Sequence, residues 1–285
     1  MDAKLAPGRA GERDCPRCSR SRNLSAPRFA PDREVKDMSD QYDANMVAQY
    51  DRSFTEIPLR RYVELPSVYR ILGDVSGLSV LDLACGTGYY AKQLRRRRAA
   101  RVVGVDLSEE MIRAASSQEE KERLGVEYVV ADAGALEHLG DFDLVTGIHL
   151  LHYAKSLDHL HGTCQSISRN LKAGGRFVGY QLNYDLSRAP HYYDKYCFNV
   201  RIAEEEAEGQ PFVFSVTFCE YTSPDITAHY WSKKSLESAL DNAGLTEVRW
   251  IVPTPSPDGI EKHGADFWAD VIRSPFELIV ICRKS

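Results

Sequence analysis

Asp82, Asp106 and Asp132 stand in or just after three short apolar runs, and His149, His152 and Tyr153 follow a fourth. Residues of these types at successive strand tips can do two kinds of work. A carboxylate can accept hydrogen bonds from both hydroxyls of a ribose, or from an adenine amino group. A histidine titrates near neutrality and can take a proton from a nucleophile. Asp106 follows Asp82 at close to the roughly 20-residue interval of the acid that grips a ribose in nucleotide-binding sheets. Asp132-Ala133 suits an adenine amino group, and Ile148-His149-Leu150-Leu151-His152-Tyr153 faces the space where a reaction would occur. His149, His152 and Tyr153 are therefore the candidate bases. The competing reading is that the histidines shape a pocket or pack under the next helix.

The elements that must position these groups can be read around them. Val80-Leu81-Asp82-Leu83 runs into Ala84-Cys85-Gly86-Thr87-Gly88, a strand that stops on a glycine turn and opens a helix at Tyr89-Tyr90. Without a Cβ, Gly86 and Gly88 can take positive φ and let a ligand approach the backbone. Such a turn at the end of the first strand of an open α/β sheet is where nucleotide-like ligands bind. Strands are expected at 79–83, 101–105, 126–130, 142–147 and 176–181, with helices near 89–97, 108–118 and 157–171 between them. Ser108 reads as an N-cap ahead of an acidic first turn. Strands separated by helices predict a parallel sheet with right-handed crossovers. Upstream, a helix from Ser39 places Tyr42, Met46, Val47 and Tyr50 on one face, and a second covers 59–72. Downstream, 212–221 and 226–231 read as two strands, 232–243 as a helix stopped by Gly244, 247–252 and 276–281 as the last strands, and the Pro-rich 252–259 as a loop.

Composition sets the bounds. The chain has 285 residues, 43% of them hydrophobic and 27% charged, enough for one large α/β domain with a full core. A net charge of −5 argues against a general nucleic-acid binder. No apolar run approaches the roughly 18 residues of a membrane span, and the N-terminus carries no apolar signal core. Seven scattered cysteines suit reduced thiols, and the expected location is cytoplasmic. Residues 1–37 are rich in Arg, Pro and Ser and are expected to be a disordered extension, with 38–285 as the working domain. Their Cys15-Pro16-Arg17-Cys18 supplies half of a zinc site and no second pair follows, so no metal is expected.

Gly86-Thr87-Gly88-Tyr89-Tyr90-Ala91 also fits the permissive dinucleotide pattern, and alone it does not exclude a dehydrogenase. The motifs as an ordered set resemble the class I S-adenosylmethionine-dependent methyltransferases. The resemblance rests on Leu81-Asp82-Leu83-Ala84-Cys85-Gly86-Thr87-Gly88, Gly104-Val105-Asp106-Leu107-Ser108-Glu109-Glu110-Met111, Asp132, Phe142-Asp143-Leu144-Val145 and Leu171-Lys172-Ala173-Gly174-Gly175, and covers about 42–179. It implies a Rossmann-like seven-stranded sheet of order 3-2-1-4-5-7-6 and S-adenosylmethionine as cofactor. It also implies cofactor contacts from Asp82, Ala84, Gly86, Gly88, Asp106, Leu107, Met111, Asp132, Ala133 and Ile148, and a lid from Tyr42-Asp43 and Tyr50-Asp51. From Met38 to Lys284 the chain more loosely resembles the bacterial toxoflavin-pathway N-methyltransferases, on Asp74-Val75-Ser76-Gly77, His149-Leu150-Leu151-His152-Tyr153-Ala154 and Phe267-Trp268-Ala269-Asp270. This implies N-methylation of a small heterocycle in natural-product biosynthesis.

The aromatic-rich insertion at about 182–230 is expected to cap the site, with Tyr180, Tyr184, Tyr192 and Trp231 as substrate walls. The bland reading is a packed cap core. Arg95-Arg96-Arg97-Arg98 reads as a solvated helix end, Glu204-Glu205-Glu206 as a solvated surface, and Cys85 as a small buried residue. The expected partner is a small-molecule substrate, with no nucleic acid and no membrane. The competing classes are an O- or C-methyltransferase of another small metabolite, an enzyme acting on nucleic acid or protein, and a non-catalytic partner subunit. The acidic charge and the absence of an Asn/Asp-Pro-Pro-aromatic motif after the fourth strand weigh against base methylation.

Overall fold

A computed structural model describes residues 44–201, 207–218 and 221–285. The chain opens with α1 (Ala44–Glu56), a π-helical turn (Arg60–Glu64) and α2 (Leu65–Leu72). Then follow β1 (Ser79–Leu83), α3 (Tyr89–Arg96), β2 (Arg101–Asp106), α4 (Glu109–Glu122), β3 (Val126–Val130), β4 (Phe142–Ile148), α5 (Leu157–Asn170) and β5 (Leu171–Leu182). An inserted sheet comprises β6 (Phe198–Arg201), β7 (Pro211–Phe218), β8 (Tyr221–Thr222) and β9 (Ile226–His229). The chain closes with α6 (Lys233–Asn242), β10 (Leu245–Ile251), α7 (Pro257–His263), α8 (Ala265–Arg273) and β11 (Glu277–Lys284).

The main sheet runs β10-β11-β5-β4-β1-β2-β3, the seven-stranded order expected, with β11 antiparallel to β5 and β10. Alternation along the strands builds a core on each face. Leu81, Leu83, Val103, Val105, Val145 and Phe177 pack on α5 and α6, whereas Val80, Val102, Leu144 and Val178 pack under α2 and α3. A third core, centred on Tyr193, Tyr196, Phe212, Phe276 and Trp268, lies under the inserted sheet.

Two segments differ from the sequence reading. β5 starts at Leu171, because its pairing with β4 shifts register between Phe142 and Leu144 and so takes in the glycine turn. The stretch read as a Pro-rich loop is one over 252–256, but its end enters helix α7, capped by Ser256, whose Oγ accepts from Gly259 N at 3.1 Å, with Pro257 in the first turn. Proline suits a helix start, where its missing N–H is not needed. Residues 1–43, with Cys15, Cys18, Ser39 and Tyr42, and the Glu204–Glu206 run lie outside the described residues. Among the described residues no helix is long and apolar enough to cross a membrane, and no three His, Cys, Asp or Glu side chains group as metal ligands.

Candidate active site

The chain reverses at the tip of β1 through three positive-φ residues, Ala84 (55°), Gly86 (55°) and Gly88 (75°). A Cβ on Gly88 would stand 2.1 Å from the Tyr128 hydroxyl, so this position has no room for any other residue. The tip of β2 holds the loop in place. Asp106 Oδ2 accepts from Gly86 N at 2.8 Å and Oδ1 from Ser108 N at 2.9 Å. Burial pushes the Asp106 pKa up despite these amides. Each of its oxygens keeps a lone pair for a further donor. At the tip of β3, Asp132 Oδ1 accepts from Gly134 N at 2.7 Å and meets His159 Nε2 at 2.9 Å. Burial would raise its pKa, but the Gly134 amide and His159 outweigh it and hold the carboxyl below its usual range.

Between these tips lies a cavity of about 750 Å³, lined by Tyr50, Ala84, Gly86, Asp106, Leu107, Met111, Asp132, Ala133 and Ile148 among others. Asp82 lies beneath the loop and does not line it. Its Oδ1 accepts from Thr146 Oγ1 at 2.6 Å, while Oδ2 is buried without a partner, and burial pushes its pKa up to about 7. A buried unpaired carboxylate oxygen is costly unless a donor completes it. Acids at two strand tips beside a glycine turn fit a ligand carrying ribose and adenine.

Helix α1 closes over this cavity. Asp51 accepts from Thr87 Oγ1 at 2.5 Å and from Gln118 Nε2 at 2.9 Å, fastening α1 to the glycine turn and to α4. The Tyr50 ring lies over Gly86, 3.3 Å from where a Cβ would stand.

A second cavity of about 650 Å³ adjoins the first and shares Tyr50, His149 and Tyr153 with it. Its walls are apolar: Met46 and Ile57 from the helical side, and Phe198, Phe214, Phe218 and Ile226 from the inserted sheet. Its remaining side is a buried charged network. Arg60 Nε donates to Glu64 Oε2 at 3.1 Å, and its guanidinium stacks 3.7 Å from the Phe54 ring centre. Glu64 also accepts from Tyr90 Oη at 2.8 Å. Burial is the largest influence on the Glu64 pKa and would raise it, but the Arg60 charge, with His149 and Tyr90, outweighs burial and lowers it to about 2. The π turn sets Arg60 and Glu64 side by side in a helix that is otherwise apolar on this face. Such turns recur at functional sites.

His149 sits between two acids, with Nε2 3.4 Å from Glu64 Oε2 and Nδ1 3.2 Å from Glu277 Oε1. Its φ of +61° bends the chain off β4, and its N–H donates to Tyr180 O at 2.6 Å. Glu277 reaches this place because β11 is antiparallel, so its first residue lies where the parallel strands end, opposite Leu182.

Of the expected bases, His149 and Tyr153 line both cavities. His152 lines neither. It is 2% exposed, burial holds its pKa well below the usual value, and its Nδ1 accepts from Leu182 N at 3.4 Å. The expected substrate walls also lie elsewhere. Tyr180 is fully buried, edge-on to His149; Tyr184 donates to the His229 carbonyl; Tyr192 Oη donates to Asp270 O at 3.1 Å; Trp231 Nε1 donates to Ala154 O at 2.9 Å. Buried tyrosine and tryptophan need a partner for their polar tips, and three of these found one in the backbone of a packed core. Gly88 and Asp82 support the first cavity from outside its lining, and Tyr42 is outside the described residues.

Arg60, Glu64, Glu277 and His159 are the residues that the sequence reading missed. Two had a signal. Arg60 and Glu64 are an i, i+4 charged pair inside an apolar helical stretch, and Glu277 heads the apolar run Leu278-Ile279-Val280-Ile281.

Residues 80–175 match the family described as methyltransferase domain. The chain is 32% identical over 203 residues to a demethylmenaquinone methyltransferase of Lactococcus lactis, spanning 68% of this chain and 71% of the relative. It is 25% identical over 179 residues to a ubiquinone biosynthesis O-methyltransferase of Acinetobacter baylyi, spanning 56% and 73%. In fold it is similar to an S-adenosylmethionine-dependent methyltransferase of Mesorhizobium loti, with a TM-score of 0.55, 23% identity and coverage of 78% of this chain and 97% of that one. Sheet order, glycine turn and strand-tip acids define a class I methyltransferase fold. The chain belongs to the S-adenosylmethionine-dependent methyltransferases of that class, and its cofactor is S-adenosylmethionine.

Proposed function

We propose that the chain methylates a small, flat, largely apolar molecule, and that the acceptor atom is a nitrogen of a heterocycle, as in natural-product biosynthesis. One observation carries the reading: a nucleotide-type cavity and an apolar cavity of about 650 Å³ share a wall of Tyr50, His149 and Tyr153. S-adenosylmethionine supplies a methyl group already activated as a sulfonium. The protein's part is then placement. Asp106 holds the ribose hydroxyls and Asp132 the adenine amino group, with Leu107, Met111 and Ile148 packing the base. Tyr50 and Asp51 keep α1 closed over the glycine turn and exclude water. The aromatic face of the inserted sheet orients the acceptor against the shared wall, which favours in-line transfer. The insertion thus serves as a substrate cap through Phe198, Phe214 and Phe218.

A second reading, O-methylation of an aromatic hydroxyl, is supported by the name of one of the two relatives, the ubiquinone biosynthesis O-methyltransferase. Methyl-labelled cofactor offered with a panel of N-heterocycles, aromatic hydroxyl compounds and bulk RNA tests both. Label is expected on a flat heterocycle; efficient transfer to RNA overturns the proposal.

A further inference from the structure

We propose that Glu277 is a catalytic residue: it takes the proton from the acceptor's nucleophilic atom as the methyl is transferred, so the acceptor is a flat aromatic molecule with an N–H or O–H at that atom. This deepens the two-cavity reading and rests on it.

Among the carboxylates and histidines at or near the polar side of the apolar cavity, geometry selects Glu277. Glu64 is fully engaged, with Arg60, Tyr90 and His149 all donating to it, and its low pKa makes it a weak base. Both ring nitrogens of His149 face carboxylates. His152 is sealed in the core. Glu277 lines the cavity, and His149 Nδ1 fixes one of its oxygens at 3.2 Å. The groups that face it from the surrounding elements are His149 after β4, Glu64 and Arg60 from the π turn, and Tyr180 from β5. Burial is the largest influence on its pKa, opposed by His149, strengthened by Glu64 and opposed again by Arg60; the result is a carboxyl pushed up to about 7. A base is most effective when its pKa lies near the working pH.

The step balances. The nucleophile's lone pair forms the bond to the methyl carbon, the carbon–sulfur bond breaks, and its electron pair stays on sulfur. The proton leaves the nucleophile for Glu277, and the neutral product and thioether depart. Glu277 then returns the proton to solvent. His149 and Glu64 are positioning residues: Arg60 fixes Glu64, Glu64 fixes His149, and His149 fixes Glu277.

The full chain is assayed with S-adenosylmethionine and two flat probes. 1-Naphthol has an O–H to lose. Quinoline has an aromatic nitrogen with no proton to lose, and needs no base. Glu277→Gln keeps the shape and removes the basicity. The expected result is a fall in kcat on 1-naphthol of about 10²- to 10⁴-fold, with KM little changed and quinoline methylation within about threefold of the parent. In the parent, methylation of 1-naphthol falls about tenfold per pH unit below about 7, whereas quinoline methylation stays flat; this measurement needs no variant. A binding readout needs no turnover: with S-adenosylhomocysteine present, 1-naphthol bound to the parent shows more of the naphtholate absorbance band than 1-naphthol bound to Glu277→Gln. An unchanged kcat on 1-naphthol in the variant, an equal loss on both probes, a flat parent profile, or no binding of 1-naphthol overturns the proposal. Failure of S-adenosylhomocysteine to bind would instead sink the two-cavity reading beneath it.

Discussion

The two cavities are built in opposite ways. The first is made from strand tips that follow one another in the chain, β1, β2, β3 and β4, and backbone amides of Gly86, Ser108 and Gly134 orient its acids. The second draws on α1, the π turn, the inserted sheet and the first residue of β11, pieces spread over most of the chain. Backbone amides at a strand tip are fixed by the fold itself, so the acids there need only be in the right register. The second cavity has no such scaffold, and buried charges hold one another in place. The first cavity should therefore tolerate loss of a charge as a loss of binding, whereas the second should respond as a loss of structure.

The largest effect expected from this contrast is in Arg60→Met. Removing one partner of a buried ion pair leaves the other uncompensated and costs about 3–5 kcal/mol. Urea unfolding should show that loss, and adding Glu64→Gln should recover much of it. A single variant within about 0.5 kcal/mol of the parent would mean that the network is not what holds this side together. On the first cavity, Asp106→Ala should weaken S-adenosylhomocysteine by about ten- to a hundredfold, as expected for losing charge-assisted hydrogen bonds worth about 1.5–3 kcal/mol, with a smaller effect on folding. Calorimetry would check it, and unchanged affinity would mean that the ribose sits elsewhere.

This contrast also decides what could be read in the sequence. The order of the main sheet, the glycine turn and the tips at Asp106, Asp132 and His149 were legible because each lies within a few residues of the strand that presents it. The second cavity was not. Aromatic density in the insertion drew attention to the side where the second cavity lies, yet Tyr184, Tyr192 and Trp231 face packed cores, while Phe214, Val216 and Phe218 share one face of β7 and line that cavity. A period of two selects that face only once the strand and its partner are known. Glu277 was less accessible still, because its place depends on an antiparallel strand returning beside β5 from the far end of the chain.

Asp82 tests whether the first cavity carries strain of its own. In the folded chain burial lifts its pKa from an ordinary 3.8 to about 7, so the native state holds a proton that the unfolded chain has released. Below about pH 4 the group is protonated in both states and its contribution is fully present. It is lost as pH rises through about 7, at up to about 1.4 kcal/mol per unit. Asp82→Asn should therefore flatten the fall in stability across that window in the ligand-free protein. Glu277 acts in the same direction, so a shallower slope rather than a level one is expected. A slope equal to the parent's would show that Asp82 is ionised in the native state.

The smallest effect separates packing from pocket within the insertion. Tyr184 is a half-buried and Phe214 a buried aromatic of the same region, but only Phe214 lines the cavity. Tyr184→Phe removes the hydrogen bond to the His229 carbonyl and leaves that carbonyl without this donor, at a cost of about 0.5–1.5 kcal/mol. KM for a methylated probe should not move, because the ring stays in its core against Phe212 and Tyr230. Phe214→Leu, which keeps the core apolar but reshapes the wall, should raise KM severalfold at similar stability. If Tyr184→Phe shifted KM and Phe214→Leu did not, the wall of the acceptor site would lie on the other side of the inserted sheet, and the shared Tyr50–His149–Tyr153 boundary would no longer face it.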